Sequence, residues 1–157
     1  MSEPTLFSLT SPEGERSKIG DEDMKVQVLT IGYGGKHPTD FFKELEDLKA
    51  DLVIDVRRDP HHAFLGVYTY KPLFVRIRGY VWIQELGNKR KTLPPELIDE
   101  GVGLGKAIGM IVAMKAKRVV LLCAEKDEDR CHRKYVKEKL ETLLEKTPLD
   151  FHWKRAQ

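Results

Sequence analysis

Short β-rich apolar runs alternate with helical segments along this 157-residue chain, and that alternation limits the fold more than any single residue does. Val26–Tyr33 is a β-rich run ending in Gly34-Gly35, the pattern of a buried strand entering a tight turn. Pro38 suits the first turn of a helix, and Phe41, Phe42, Leu45 and Leu48 give that helix an apolar face. Leu52–Val56 reads as a second buried strand, Tyr80–Leu86 as a third and Arg118–Ala124 as a fourth. Helices are predicted over Leu104–Lys115 and from near Asp129 to Lys146. Acids precede the second helix and Lys146 ends it, as the helix dipole favours. Asp150–Trp153 is a short final strand candidate, and Gly101 to Lys106 reads as a flexible helix start. Strands alternating with helices build parallel βαβ units. The expected fold is α/β: a three-layer sandwich with a parallel or mixed central sheet, Rossmann-like. In such folds ligands bind outside the carboxyl ends of the strands.

Composition narrows the class further. A chain of this length buries enough surface for one core without a disulfide framework or a metal. No apolar run reaches the ~20 residues of a membrane span, and the first thirty residues lack a secretory apolar stretch. With two cysteines and no export signal, a reducing, cytoplasmic setting is expected. Serine occurs only at Ser2, Ser8, Ser11 and Ser17, so a serine nucleophile in the body is excluded. Asn and Gln are scarce while Lys and Glu abound, a bias of proteins from very hot habitats, and a thermophilic source is expected.

The net charge of +2 is unevenly distributed. Residues 1–24 hold six acids and two bases and read as an acidic, flexible N-terminal tail, with 25–157 as a single α/β domain. Residues 57–91 hold eight bases and two acids. The bases are Arg57, Arg58, Lys71, Arg76, Arg78, Lys89, Arg90 and Lys91, and Phe64, Tyr68, Tyr70, Phe74, Tyr80 and Trp82 are interleaved with them. That mixture suits a single nucleic-acid strand, through backbone attraction and base stacking. Alternating aromatics are also the ordinary content of a core, and that reading is favoured for these rings.

Three segments should meet at the carboxyl edge of the sheet: Gly32 to Gly35, Asp55 to Arg58, and Cys123 to Glu125 with Cys131 to Arg133 beyond. Cys131, His132 and Arg133 open the first turn of a helix, whose amides and dipole, with Arg130 alongside, favour an anion. The same environment lowers the pKa of a nearby thiol. The segments Thr30 to Tyr33, Val53 to Arg57, Leu122 to Glu125 and Cys131 to Arg133 together resemble the Domain of Unknown Function 488 family. The resemblance covers roughly residues 26–153. Tyr33 stands where many members have His, and Gly34 where many have Ser. The resemblance implies an α/β fold with these motifs at one edge, and it brings no established reaction.

Several chemistries remain open at that edge. The leading expectation is a phosphate-bearing ligand, a nucleotide or a single-stranded nucleic acid. Arg57 and Arg133 would take phosphate; Tyr33, Gly34, Gly35 and Cys131 would line the site. Glu125 would orient the arginines, and His132 is the best proton-transfer candidate, with Asp55 and Cys123 as further catalytic candidates. Asp55 and Glu125, if their strands are neighbours, could together hold a divalent ion, but the favoured reading is an ion pair, with Glu125 holding Arg133 or Arg57 in place. A second option is a cysteine enzyme of sulfurtransferase or phosphatase type with Cys123 as nucleophile, opposed by the four carboxylates between residues 125 and 129. A third is a metal held by Cys123, Cys131 and His132 with Glu125. The seven-residue gap between the cysteines is not a zinc-finger spacing, so no metal and no cofactor are assigned. A disulfide between the cysteines and a non-catalytic interaction module complete the alternatives.

Overall fold

The computed structural model describes residues 25–147. The acidic segment 1–24 and the strand expected at Asp150–Trp153 lie outside the described residues. Strands β1 (Gln27–Gly32), β2 (Leu52–Asp55), β3 (Tyr80–Trp82) and β4 (Arg118–Cys123) form one sheet in the order β1-β4-β2-β3. Every pairing in it is parallel. Helices α1 (Pro38–Leu48), α2 (Tyr70–Arg76), α3 (Glu100–Met114) and α4 (His132–Lys146) complete the fold. The α/β architecture is therefore the expected one, with the sheet wholly parallel.

Side-chain alternation along the inner strands explains the three layers. Val119, Leu121 and Cys123 of β4 face one way, with Leu52 and Ile54 of β2, and pack on Leu104 and Ile111 of α3 and Val136 and Leu140 of α4. Val120 and Leu122 face the other way with Val53, against Phe41 and Leu45 of α1, Leu73 of α2 and Tyr68. Because both faces are covered, β2 and β4 read as continuous apolar runs in the sequence.

Local chemistry sets the element ends. Helix α3 starts earlier than expected, because the Asp99 carboxylate accepts from the amide of Val102 (3.2 Å) and caps it. Gly101 to Lys106 is thus regular helix. Strand β3 is shorter than expected: after Ile83 donates to Asp55 O (3.1 Å), Gln84–Leu86 turns as a 3₁₀ helix. That turn drives Leu86 beneath α3, where a side chain at Gly103 would lie 2.7 Å from Leu86 Cδ2. The segment before α4 also splits, into a 3₁₀ turn at Glu128–Arg130 and then the helix proper, with Cys131 as its N-cap.

Register brings the three motif segments to one edge. Gly32 lies opposite Cys123, and Asp55 lies opposite Leu122 on one side and Trp82 on the other. Beyond that edge, the chain after β4 folds back over the end of β1. A methyl group on Gly32 would sit 1.8 Å from Glu125 O, so only glycine allows this crossing.

Candidate functional site

A buried polar network stands behind the strand ends. Asp55 is fully buried and Arg57 nearly so. Residues two apart on an extended chain project to the same side, and the guanidinium grips the carboxylate in a fork. Arg57 Nε donates to Asp55 Oδ1 (2.9 Å) and Nη2 to Oδ2 (2.6 Å). Arg57 Nη1 donates to Tyr33 Oη (3.1 Å) and Tyr68 O (2.6 Å). The Tyr80 hydroxyl donates to Asp55 Oδ2. Burial pulls the Arg57 pKa down, but hydrogen bonds to Asp55 and the attraction of its charge outweigh that and hold it above the ordinary value. Burial, with the Asp55 charge behind it, pushes the Tyr80 phenol far up. Tyr33 is raised by burial, partly offset by Arg57. It stacks on Tyr68 at 4.5 Å between ring centres.

These contacts sort the residues expected to hold phosphate. Four of the five N–H donors of Arg57 are engaged and its charge is matched by Asp55, so it supplies little free charge. Arg133 is also buried; it donates through Nη1 to Glu125 O (2.7 Å) and through Nη2 to Lys126 O (3.3 Å). Its Nε is buried without a partner among the described residues. The expected pairing of the Glu125 carboxylate with Arg133 or Arg57 is not seen among the described residues: Asp55 is the carboxylate paired with Arg57, and Glu125 reaches Arg133 through its backbone carbonyl. Gly34 is packed against Ala124 O and Lys126 N, and Gly35 turns the chain at φ 70°.

In front of this network lies a cleft of about 480 Å³. Tyr33, Arg57, Cys123, Cys131 and His132 form its floor; Arg58, Lys91, Arg130 and Glu125 stand on its walls. Gly34, Gly35, Asp55 and Arg133 are not among its lining residues. The wall bearing Lys91 is held in place by Asn88, whose Nδ2 donates to Thr92 O (2.8 Å) and whose Oδ1 accepts from Glu96 N (3.3 Å). Arg58 Nη1 ties the same loop down at Lys89 O (2.8 Å). Sequence reasoning takes Lys89, Arg90 and Lys91 of this loop for their charge but overlooks Asn88, the only asparagine in the chain, which holds it.

At the bottom of the cleft three donor atoms converge. His132 Nδ1 is 3.8 Å from Cys123 Sγ and 3.9 Å from Cys131 Sγ. The other ring nitrogen, Nε2, donates to Val56 O (2.7 Å). Both cysteines are free thiols. The Cys131 thiol is pulled down to about 4 by the neighbouring Cys123 thiol, helped by His132 and the Arg133 amide. The same contact, with burial, pushes Cys123 up. Cys131, the N-cap of α4, is therefore the more acidic thiol of the pair. Among the described residues these three side chains, not the carboxylates Asp55 and Glu125, form the group that could hold a metal.

The basic stretch divides in space. Arg58 and Lys91 reach the cleft, whereas Lys71, Arg76 and Arg78 are not among its lining residues. Arg76 lies 3.7 Å over the Phe42 ring, and Lys89 and Arg90 pair with Glu96. Of the interleaved aromatics, Tyr68 and Tyr80 are buried, Tyr70 and Trp82 pack against the core, and Phe64 and Phe74 are exposed.

The fold and site define a parallel α/β protein with a Cys-Cys-His floor at the carboxyl edge of its sheet. Residues 103–140 match the family model described as Domain of unknown function DUF488, which supports the assignment suggested by the sequence motifs. The matched span holds Cys123 to Arg133; the segments around Tyr33 and Asp55 lie outside it. No curated protein and no solved structure matches the chain. No helix among the described residues is long and apolar enough to cross a membrane.

Proposed function

We propose that the cleft binds a small phosphate-bearing ligand, a nucleotide in preference to a nucleic-acid strand. One observation carries this reading: Arg58, Lys91 and Arg130, from three separate segments, converge on one cleft. None of them pairs with a carboxylate among the described residues. The volume lies within the range of small-ligand pockets, roughly 300–1,000 Å³. Phosphate at the walls would meet Arg58, Lys91 and Arg130, which outnumber the lining acids Asp59 and Glu125, whereas Arg57 keeps its shape role on the floor. The preference for a nucleotide follows from the packing of Tyr68, Tyr70, Tyr80 and Trp82 within or against the core, which leaves Phe64 and Phe74 as the exposed stacking platforms of the 57–91 stretch.

Calorimetric titration with nucleoside diphosphates and with a short single-stranded oligonucleotide tests the reading. The Arg58→Ala/Arg130→Ala variant should lose about a hundredfold or more in nucleotide affinity, as expected for two charge-assisted contacts of ~1.5–3 kcal/mol each. Lys71→Ala/Arg76→Ala/Arg78→Ala should leave it unchanged. No nucleotide binding, or oligonucleotide binding that depends on the second set, would overturn the proposal.

A second reading has its own observation, the placement of both thiols beside His132 in the cleft floor. In it the Cys123 thiolate attacks the phosphorus of a phosphate ester, or the outer sulfur of a sulfane donor, held by the same cationic walls; the new S–P or S–S bond forms as the bond to the alcohol or the donor's remaining anion breaks and that group leaves.

A further inference from the structure

Fingers and ribbons place paired cysteines on one tight turn, and the gap between Cys123 and Cys131 does not fit them. The fold reaches the same end by another route. Cys123 closes strand β4, Cys131 caps helix α4, and the intervening loop returns the chain to the same point. We propose that Cys123, Cys131 and His132 form a three-donor site for a thiophilic divalent cation, zinc above all, with a fourth position open to the cleft.

Geometry supports this first. Zinc bonds of about 2.3 Å to sulfur and 2.0–2.1 Å to nitrogen put nitrogen and sulfur about 3.6 Å apart across a tetrahedron. The two observed Sγ to Nδ1 separations are 3.8 and 3.9 Å, and all three donors lie within 4.8 Å of one another. A contraction of a few tenths of an ångström brings both nitrogen–sulfur edges to that value, and closing the two sulfurs from within 4.8 Å to about 3.8 Å completes the face.

The ring orientation is the second, independent observation. A carbonyl only accepts, so the bond from His132 Nε2 to Val56 O places the hydrogen on Nε2. In the neutral ring the Nδ1 lone pair then points at the two sulfurs. Ligating histidines are held in this way by their second nitrogen.

Charge is the third. Two thiolates with a divalent cation sum to zero, which suits a buried floor. Binding forms two metal–sulfur bonds and one metal–nitrogen bond, and releases to solvent the protons the thiols carried. All three donors line the cleft, so the remaining coordination position faces the space assigned to a ligand. Closed structural sites have four protein ligands; three plus an open position is the arrangement that admits water or a substrate.

Full-length protein, treated with chelator and kept reduced, provides the test, with Co²⁺ and Zn²⁺ as probes and no nucleotide present. One equivalent of Co²⁺ should give a thiolate-to-cobalt charge-transfer band and the strong visible bands of a tetrahedral centre, both abolished by Zn²⁺. Cys123→Ser and Cys131→Ser should each weaken the charge-transfer band, and His132→Gln should lower cobalt affinity. Should a variant fail to fold, the wild type decides alone: one equivalent of Zn²⁺ should slow alkylation of both cysteines about tenfold or more, since coordinated sulfur is a poorer nucleophile. Folded wild-type protein that shows no charge-transfer band and unchanged alkylation with Zn²⁺ would overturn the proposal. Nucleotide binding is measured separately, so failure of either reading leaves the other visible.

Discussion

Asp55→Asn should be among the most damaging isosteric changes in this chain. The substitution keeps the shape of the side chain but removes the charge, and it replaces one acceptor by an NH₂ donor. That donor would face Arg57 Nη2, now 2.6 Å from Oδ2, or Nε, 2.9 Å from Oδ1. Arg57 is 5% exposed and cannot turn to water, so its charge would stay buried and unmatched. Breaking a buried pair from one side costs about 3–5 kcal/mol. With a urea dependence of about 2 kcal/mol per molar, the unfolding midpoint should fall by about 1.5–2.5 M at unchanged slope. Adding Arg57→Met should restore part of the loss, because the pair is then removed together; the coupling energy should be about 2 kcal/mol or more. A loss below about 1 kcal/mol, less than one ordinary hydrogen bond to a charged group, would show that Arg57 finds water or another partner and would refute the account of the network.

Other outcomes follow from the same coordinates. Gly32→Ala should cost at least about 3 kcal/mol or prevent folding in a thermal melt, because its methyl would meet Glu125 O at 1.8 Å. Stability should fall as pH rises above about 10, where unfolded tyrosines ionise. Tyr80, Tyr33 and Tyr68 keep their protons in the fold because burial raises their pKa values. The native state then binds more protons than the unfolded chain, so the slope against pH is negative, and Tyr80→Phe should flatten it in alkaline denaturation curves. Asp99→Ala should remove the cap on α3 at a cost of about 1 kcal/mol, measured by denaturant titration.

Much of the fold was legible because of where its strands lie. Inner strands β2 and β4 are covered on both faces, so they appear as unbroken apolar runs between polar segments. Helix α2 was not legible: it has seven residues, its buried contact is Leu73, and Pro72 argues against a helix to a reader who does not know it falls in the first turn. The edge that carries the site followed from topology, and the spacing of Cys131, His132 and Arg133 at a helix start placed them correctly. Partner choice did not follow. Asp55 and Arg57 lie two residues apart on extended chain, which already favours their pairing, yet motif reasoning treats arginine beside a strand end as a phosphate ligand. The distance across the Cys-Cys-His group was equally hidden, because linear spacing says little where a strand end meets a helix cap. The Asn88 loop, which carries one wall of the cleft, has no periodic signal at all.

The central claim is that the cleft at the carboxyl edge of the sheet is where a phosphate-bearing ligand binds. Amide chemical-shift mapping during titration of the full-length protein with a nucleoside diphosphate tests it most directly. The account predicts saturable shifts concentrated at Arg58, Lys91 and the segment from Ala124 to His132. Shifts centred instead on Lys71, Arg76 and Arg78, or no saturable shifts at all, would contradict it.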